Sequence, residues 1–298
     1  MQEFKESLLI LISTPVYIIL IGLEMVLSYI YNKQYYTVKG TVQNVYLSAL
    51  NFGLDILVRA FCLLFLNFFY RYHFASVSDP VLYWLLLLIG EDLMYYLLHY
   101  VDHYCRFFWA VHVTHHSSEE FNLTVGFRSS VFQPLYRFIY FIPLVLVGFK
   151  PLDIMFMYAA TQLYGVFIHT KFINKLGFLE WFLATPSHHR VHHGSNPVYL
   201  DKNMGMVFII WDRLFGTFVE ERKDIPVKYG LTKNLESHHP LNVVFHEWKS
   251  IRKDIIKAPT LKTKLLYIFG PPGWSHDGST KTAKQLREDF FNNVPGSQ

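Results

Sequence analysis

Charge is what this sequence has least of. Only 17% of its 298 residues are charged, against 52% hydrophobic and 18% aromatic, where an ordinary soluble domain carries about 25% charged residues. That deficit points to a chain that lives in a membrane. The net charge is a modest +4, and no basic repeat or zinc-finger spacing occurs, so nucleic acid is not an expected partner. Cysteine is nearly absent. Cys62 and Cys105 stand alone, too few for a disulfide framework or an iron–sulfur cluster. The GxGxxG dinucleotide fingerprint and the CxxCH haem-attachment sequence are also missing. If the chain carries out redox chemistry, the electrons have to come from another molecule.

Histidine is present in excess, with fifteen copies, and most of them cluster. The chain reads His99-Tyr-Val-Asp-His103, then His112-Val-Thr-His115-His116, then His169 alone, then His188-His189-Arg-Val-His192-His193. On a helix, residues three or four apart share a face, so each cluster presents two or three imidazoles side by side. Neutral imidazole is a ligand for zinc, iron, copper and nickel. A structural zinc uses about four ligands. Nine or ten imidazoles therefore suit two metals, each with an open position. His73, His246, His276 and the pair His238-His239 lack this spacing and read as ordinary surface or core histidines.

The apolar runs supply the frame. A membrane-spanning helix needs about 20 mostly apolar residues. Candidates lie at 8–31, 45–70, 81–100, 131–148 and 152–169. The first has a long apolar region with no small-residue cleavage site after it, so it reads as a span rather than a signal peptide. Asp55 and Arg59 sit at i, i+4 in the second and are expected to pair, because isolated charges in a bilayer cost roughly 2.5–3.5 kcal/mol each. Asp92 lies two turns before His99, and Asp92 or Asp102 is a candidate partner for a ligand histidine. The sequence Gly148-Phe-Lys-Pro151 predicts a tight turn between the last two runs. Residues 241–256, with Trp248 and Trp274, suggest amphipathic helices on the membrane surface. The Gly-, Pro-, Ser- and Thr-rich tail after Gly270 is expected to be partly mobile.

The expected architecture is an all-α integral membrane protein with about five spanning helices and a cytoplasmic helical cap carrying a histidine-rich di-metal site. Three regions follow: N-terminal membrane helices (1–80), a catalytic region of membrane helices and histidine clusters (81–220), and a cytoplasmic C-terminal segment (221–298). Five spans put all the histidine clusters on one side. The short loops there carry Lys33, Lys39, Arg106 and Arg128, and the far side carries only Lys5, Arg71 and Lys150. Positive charge favours the cytoplasmic side, in an endoplasmic reticulum or bacterial inner membrane.

At its histidine clusters the chain resembles the fatty-acid-hydroxylase and sterol-desaturase superfamily, over about residues 85–220. HxxxH, HxxHH and a later HxxHH occur in that order, with long apolar segments between. The stretches Trp109–Leu123, Ile168-His169-Thr170, Thr185–Gly194 and Ile210–Phe218, together with Asp201-Lys-Asn203, are similar to the alkylglycerol monooxygenase branch. The resemblance implies a di-iron centre that activates dioxygen. His99, His103, His112, His115, His116, His169, His189, His192 and His193 correspond to its ligands. Some relatives have a second histidine four residues before the position of His169, where this chain has Gly165. His188 is then the candidate tenth ligand, with a hydrogen-bonding role beside the metals as the alternative. Glu119, just after the second cluster, is the candidate for acid–base chemistry or contact with the reductant. Asp201 and Asn203 fit the orienting of ligands or the capping of a loop.

The implied activity is oxygen-dependent lipid hydroxylation, on alkylglycerol-type ether lipids if the branch resemblance holds. The partners are a membrane lipid, dioxygen and an external electron donor, either tetrahydrobiopterin or an electron-transfer protein. A sterol, fatty-acid or carotenoid hydroxylase or desaturase is the alternative within the class. A metal-binding or transport protein and a zinc hydrolase are the alternatives outside it. A transporter would place its ligands along a path near the bilayer midplane, whereas these clusters lie at helix ends.

Overall fold

The structure is a computed structural model and describes residues 2–293. Its regular elements are helices and short 3-10 turns, and the described residues hold one isolated bridge, Leu183 to Phe208, and no strand. Three long helices come first: α1 (Gln2–Ile30), α2 (Val38–Tyr70) and α3 (Pro80–Tyr104). Thr37 caps α2 by accepting from the Gly40 amide, and Asp79 caps α3 ahead of Pro80. Both place a short polar side chain where the first helical amides lack partners. α4 (Arg106–His116) follows α3 after one extended residue, Cys105. Then come α5 (Ile142–Leu146), α6 (Pro151–Phe167), α7 (Pro186–His192) and α8 (Ile210–Phe215). The chain closes with α9 (Pro240–Lys257), α10 (Leu261–Phe269) and α11 (Ala283–Asn293).

Among the described residues, three helices are long and apolar enough to cross a membrane: Leu11–Ile30, Val38–Tyr70 and Pro80–Tyr104. Large side chains such as Ile18, Leu57, Leu64 and Val81 stand exposed on them, as expected of surfaces that meet lipid rather than water. The fourth and fifth apolar runs of the sequence do not form such helices. Residues 131–148 break into two 3-10 turns and the five-residue α5. Pro134 and Pro143 interrupt the amide ladder there, and Gln133 and Arg137 turn inward onto Asp102 and Asp55. α6 has 17 residues. The two segments nevertheless run between the same two ends of the bundle. At one end Gln133 binds Asp102 of α3. At the other the Phe74 amide donates to Leu146 O, and Gly148 turns at φ 103° against Ala75, whose carbonyl oxygen would lie 2.1 Å from any Cβ there.

α2 is 33 residues long, or about 50 Å, more than a hydrocarbon core of about 30 Å. Its N-terminal half holds the loop after α4: Asn44 binds Thr124 and Arg128, and Asn51 donates to Ser130 O. Among α2, α3, α5 and α6 the core is Leu66, Leu87, Leu98, Phe141, Leu144 and Ile154. Between membrane helices, exclusion of water contributes little, so close packing and polar contacts carry more of the association. Asp55 supplies one such contact. It pairs with Arg59 at 2.8 Å, and also with Arg137 from residues 131–148.

The C-terminal segment covers α4. Arg106 binds Glu247, Ser250 and Asp254 of α9, and its amide donates to Gly270 O after α10. Part of the tail after Gly270 is helical. Its residues 283–293 form α11, and Phe290 and Phe291 pack against Val191, Val198 and Tyr199. Residues 294–298 lie outside the described part.

Candidate metal centre

Each HxxHH cluster folds as a helix, and helical geometry divides it. Positions one and five share a face, while position four projects about 100° away from position five. In α4, His112 and His116 turn to one side and His115 to the other. The last cluster, in and just after α7, divides in the same way, with His189 and His193 together and His192 apart, but its pair joins the group that takes His115 and its single ring the group that takes His112 and His116. The outcome is two groups. His99, His103, His112, His116 and His192 form one, and His115, His169, His189 and His193 the other; within each group the potential ligand atoms lie within 4.8 Å of one another. The two groups abut, with His116 and His193 stacked at 4.5 Å between ring centroids.

Most of these rings are set by hydrogen bonds from Nδ1. His99 donates to Met204 O (2.7 Å), His115 to Arg128 O (2.7 Å), His169 to Gly165 O (2.6 Å) and His192 to Lys202 O (3.0 Å). A carbonyl oxygen only accepts, so the ring proton is on Nδ1 and Nε2 carries a bare lone pair. His103 Nδ1 faces the Asp201 carboxylate at 3.1 Å, and His112 Nδ1 faces Ser130 Oγ at 3.0 Å. Nε2 of His103 and of His192 is buried with no hydrogen-bond partner among the described residues. Elsewhere Nε2 atoms approach one another: His99 and His112 at 3.0 Å, His169 and His189 at 2.9 Å. Buried lone pairs aimed at a common point are unfavourable without a cation between them. The donor set therefore fits two metal ions, one with five imidazoles and one with four.

Burial also disfavours charge on seven of the rings, as metal ligation requires. It holds His112, His116, His169, His189, His192 and His193 well below the usual imidazole range, helped by the neighbouring histidines. Burial lowers His115 to about 4.

The residues behind the rings are carboxylates, an arginine and backbone carbonyls. Asp201 and Asn203 have φ of 52° and 56°, a left-handed region that Asp and Asn tolerate better than other non-glycine residues. In that turn Asp201 meets His103, Lys202 O meets His192, and Asn203 ties His188 O to Val219. Asp92 does not touch His99. It accepts from the Val207 and Phe208 amides and from Trp211, while Asp212 accepts from Met204 and Gly205. The two carboxylates thus fix the loop whose carbonyl orients His99. Asp102 accepts from Gln133 and Tyr136 and lies 3.7 Å from His112 Nδ1. Arg128, buried, donates to Thr114 O and Ser117 Oγ at the end of α4. Sequence reasoning placed Arg128 only as a loop charge. The orienting carbonyls carry no side-chain signal at all.

Two candidate residues lie elsewhere. His188 belongs to neither group. It sits at the third position of α7, where Nδ1 accepts from the Thr185 amide to complete a capping box, and its Nε2 faces Glu180 at 3.8 Å. That side of the helix start points away from the metals. Glu119 is 51% exposed, with its carboxylate 3.9 Å from His238. Its neighbour Glu120 turns inward and binds Thr37 and Asn122. Glu119→Gln is expected to leave metal content and turnover within about twofold of wild type, as for surface substitutions generally. His188→Ala is expected to keep both metals while losing about 1 kcal/mol of stability with its cap. Metal analysis and thermal melts check both, and loss of a metal in either variant would return that residue to the site.

Two cavities reach the histidines from opposite sides. One, of about 370 Å³, runs between the membrane helices along Tyr17, Phe52, Tyr95 and Val166, and ends on His99, His112, His115, His169 and His189. The other, of about 610 Å³, opens through the cap and ends on His103, His116, His192 and His193.

Residues 84–217 match the fatty acid hydroxylase family model. The chain is 41% identical over 191 residues to alkylglycerol monooxygenase of Xenopus tropicalis, covering 64% of this chain and 42% of that protein. It is 43% identical over 192 residues to alkylglycerol monooxygenase of Homo sapiens, with the same coverage. An ornithine lipid hydroxylase of Rhizobium tropici is 28% identical over 166 residues, 55% of this chain and 50% of that one. No solved structure gives a significant match. The match to the fatty acid hydroxylase model thus covers all the histidine clusters, and the chain spans less than half the length of the alkylglycerol monooxygenases it matches.

Proposed function

We propose that this protein is a membrane-bound, di-iron, oxygen-dependent lipid monooxygenase that acts on alkylglycerol-type ether lipids. The observation that carries the reading is the membrane-side cavity. It leads from between apolar helices to histidines of both groups, so a lipid can enter sideways from the bilayer and meet the metals at its inner end. The relatives named for alkylglycerol oxidation support the ether substrate. His99, His103, His112, His116 and His192 would hold one iron, and His115, His169, His189 and His193 the other. Bound iron would supply the oxidising power, from dioxygen and two electrons, that no side chain can provide.

The chain's own residues do the rest. Tyr17, Phe52, Leu163 and Val166 give an alkyl chain apolar wall in a cavity that also holds the ion-paired Asp55, Arg59 and Arg137, and the Nδ1 hydrogen bonds hold the ligand rings in place through turnover. The carbon attacked is the one next to the ether oxygen, whose C–H bond that oxygen weakens. One oxygen atom enters that bond and the other leaves as water, with two electrons and two protons from an external donor. The product is a hemiacetal, which separates into a fatty aldehyde and a glycerol. Tetrahydrobiopterin is the donor that the branch resemblance implies. With an odd number of crossings, three or five, the N-terminus lies opposite the histidines, and the positive short loops favour the cytoplasmic side for the metals.

The test is to incubate iron-loaded protein with an alkylglycerol, tetrahydrobiopterin and dioxygen and to follow the aldehyde. Oxidation of a sterol, carotenoid or acyl lipid instead, with no aldehyde from the ether, would remove the ether substrate and keep the hydroxylase.

A further inference from the structure

We infer that the cap-side cavity is where the electron donor binds, and that it is built for a small, uncharged heteroaromatic molecule rather than a phosphate-bearing nucleotide. The inference rests on the proposed function, because only an oxygen-dependent reaction needs such a donor.

Position is the first argument. The cap cavity touches His103, His116, His192 and His193, while the membrane cavity touches His99, His112, His115, His169 and His189. The five-histidine group is therefore reached from both sides by different rings. A donor in the cap and a lipid in the membrane slot would not compete for space.

The walls are the second argument. The inner end is closed by Trp109, whose ring lies 5.1 Å from His103 and 5.5 Å from His116. The outer wall holds Tyr267 and Trp274, packed edge to face at 5.3 Å. Asn234, Asn242, Thr232 and Thr280 also line it. Flat aromatic surfaces with amides and hydroxyls between them suit a planar ring system rich in hydrogen-bonding groups. They do not suit an alkyl chain. The volume, about 610 Å³, is in the usual range of roughly 300–1,000 Å³ for small-molecule sites.

Charge decides the class of ligand. The lining includes three cations, Arg106, Lys233 and Lys281, against four carboxylates, Asp201, Glu236, Glu247 and Asp254. Arg106 is held by Glu247 and Asp254, and Lys281 by Asp289. A phosphate brought here would find two of the three cations already paired, and the sequence lacks the glycine-rich loop that cradles phosphates. Flavin mononucleotide and reduced nicotinamide dinucleotides are therefore poor fits, and an uncharged reduced pterin is a good one. An electron-transfer protein, whose cofactor lies inside its own fold, would stop at the mouth.

The experiment is anaerobic titration calorimetry of tetrahydrobiopterin into the iron-loaded protein. Two variants test the place: Ala283→Trp, which puts bulk into the wall at the start of α11, and Trp274→Ala, which removes a ring face. Each is expected to weaken binding at least about tenfold, the change produced by losing one good contact, with metal content unaltered. Flavin mononucleotide and NADPH are expected to bind at least about 100-fold more weakly than the pterin, the loss of one or two charge-assisted hydrogen bonds that a phosphate site would supply. Wild-type pterin affinity in both variants would overturn the assignment of the cavity, as would a phosphate-bearing nucleotide that binds as tightly and competes. If the ether lipid is oxidised and Ala283→Trp does not alter the pterin dependence, the cavity assignment fails and the proposed function stands. If binding is tight and sensitive to Ala283→Trp but no lipid is oxidised, the proposed function fails and the cavity remains a pterin site.

Discussion

His192→Ala is expected to lower the metal content from about two ions per chain to about one or less, and turnover by several orders of magnitude, since a metal centre that has lost a direct ligand loses more than the 10–100-fold seen for outer partners. His192 is the one residue of the last cluster in the five-histidine group, just as His115 is the one residue of α4 in the four-histidine group. Each straps one helix to the other helix's metal. His115→Ala should therefore behave alike, with the loss falling on the second metal. The alanine leaves a small cavity among the buried histidines, outside the apolar core that packs the long helices together, so the fold should survive and the variant should still be extracted from membranes in normal yield. Elemental analysis beside a turnover assay checks both variants. Two irons per chain with wild-type turnover in His192→Ala would take that residue out of the ligand set.

Gly126→Ala should remove the metal of the four-histidine group selectively. Gly126 lies in the 3-10 turn Leu123–Phe127, pressed against α6. A Cβ there would come 2.8 Å from the backbone Cα of Val166 and 3.2 Å from Nδ1 of His169. Backbone cannot move aside as a flexible side chain can, so α6 or the turn must shift, at about 1–3 kcal/mol for an overpacked site. The displacement falls on the last turn of α6, where His169 donates to Gly165 O. The five-histidine group draws nothing from α6 and should keep its ion. The expected reading is about one metal per chain in a folded protein with little or no turnover. Two metals per chain would show that the turn relaxes without moving His169.

Different parts of the molecule were legible to different depths. Asp55 and Arg59 were paired from their spacing alone, and they do pair; the third member, Arg137, comes from 82 residues away and was out of reach of any local pattern. The apolar runs at 131–148 and 152–169 looked alike by composition. In the structure the first is broken by proline and by two inward polar side chains, and the second is one helix. Hydropathy averages over a window, so it does not register which side chains have partners waiting across the bundle. Asp92 stands on the expected face relative to His99, but it fixes the loop at 204–208 instead of the ring. Proximity along a helix gives a direction, and the partner is decided by what packs against it.

The sequence by itself determined that the chain is helical and apolar, that its histidines come in claws, and that nine of them are more than one metal can use. These follow from composition and from the 3.6-residue period, which act within a few residues. Only the tertiary structure decided which histidines share a metal. Whether His115 meets His169 depends on how α4, α7 and the end of α6 are brought together, which packing across the whole bundle sets, whereas His188 is turned aside locally by the capping box it forms with Thr185. The exclusion of Glu119 from the centre has the same origin, because the chain turns after His116 and leaves that carboxylate outside.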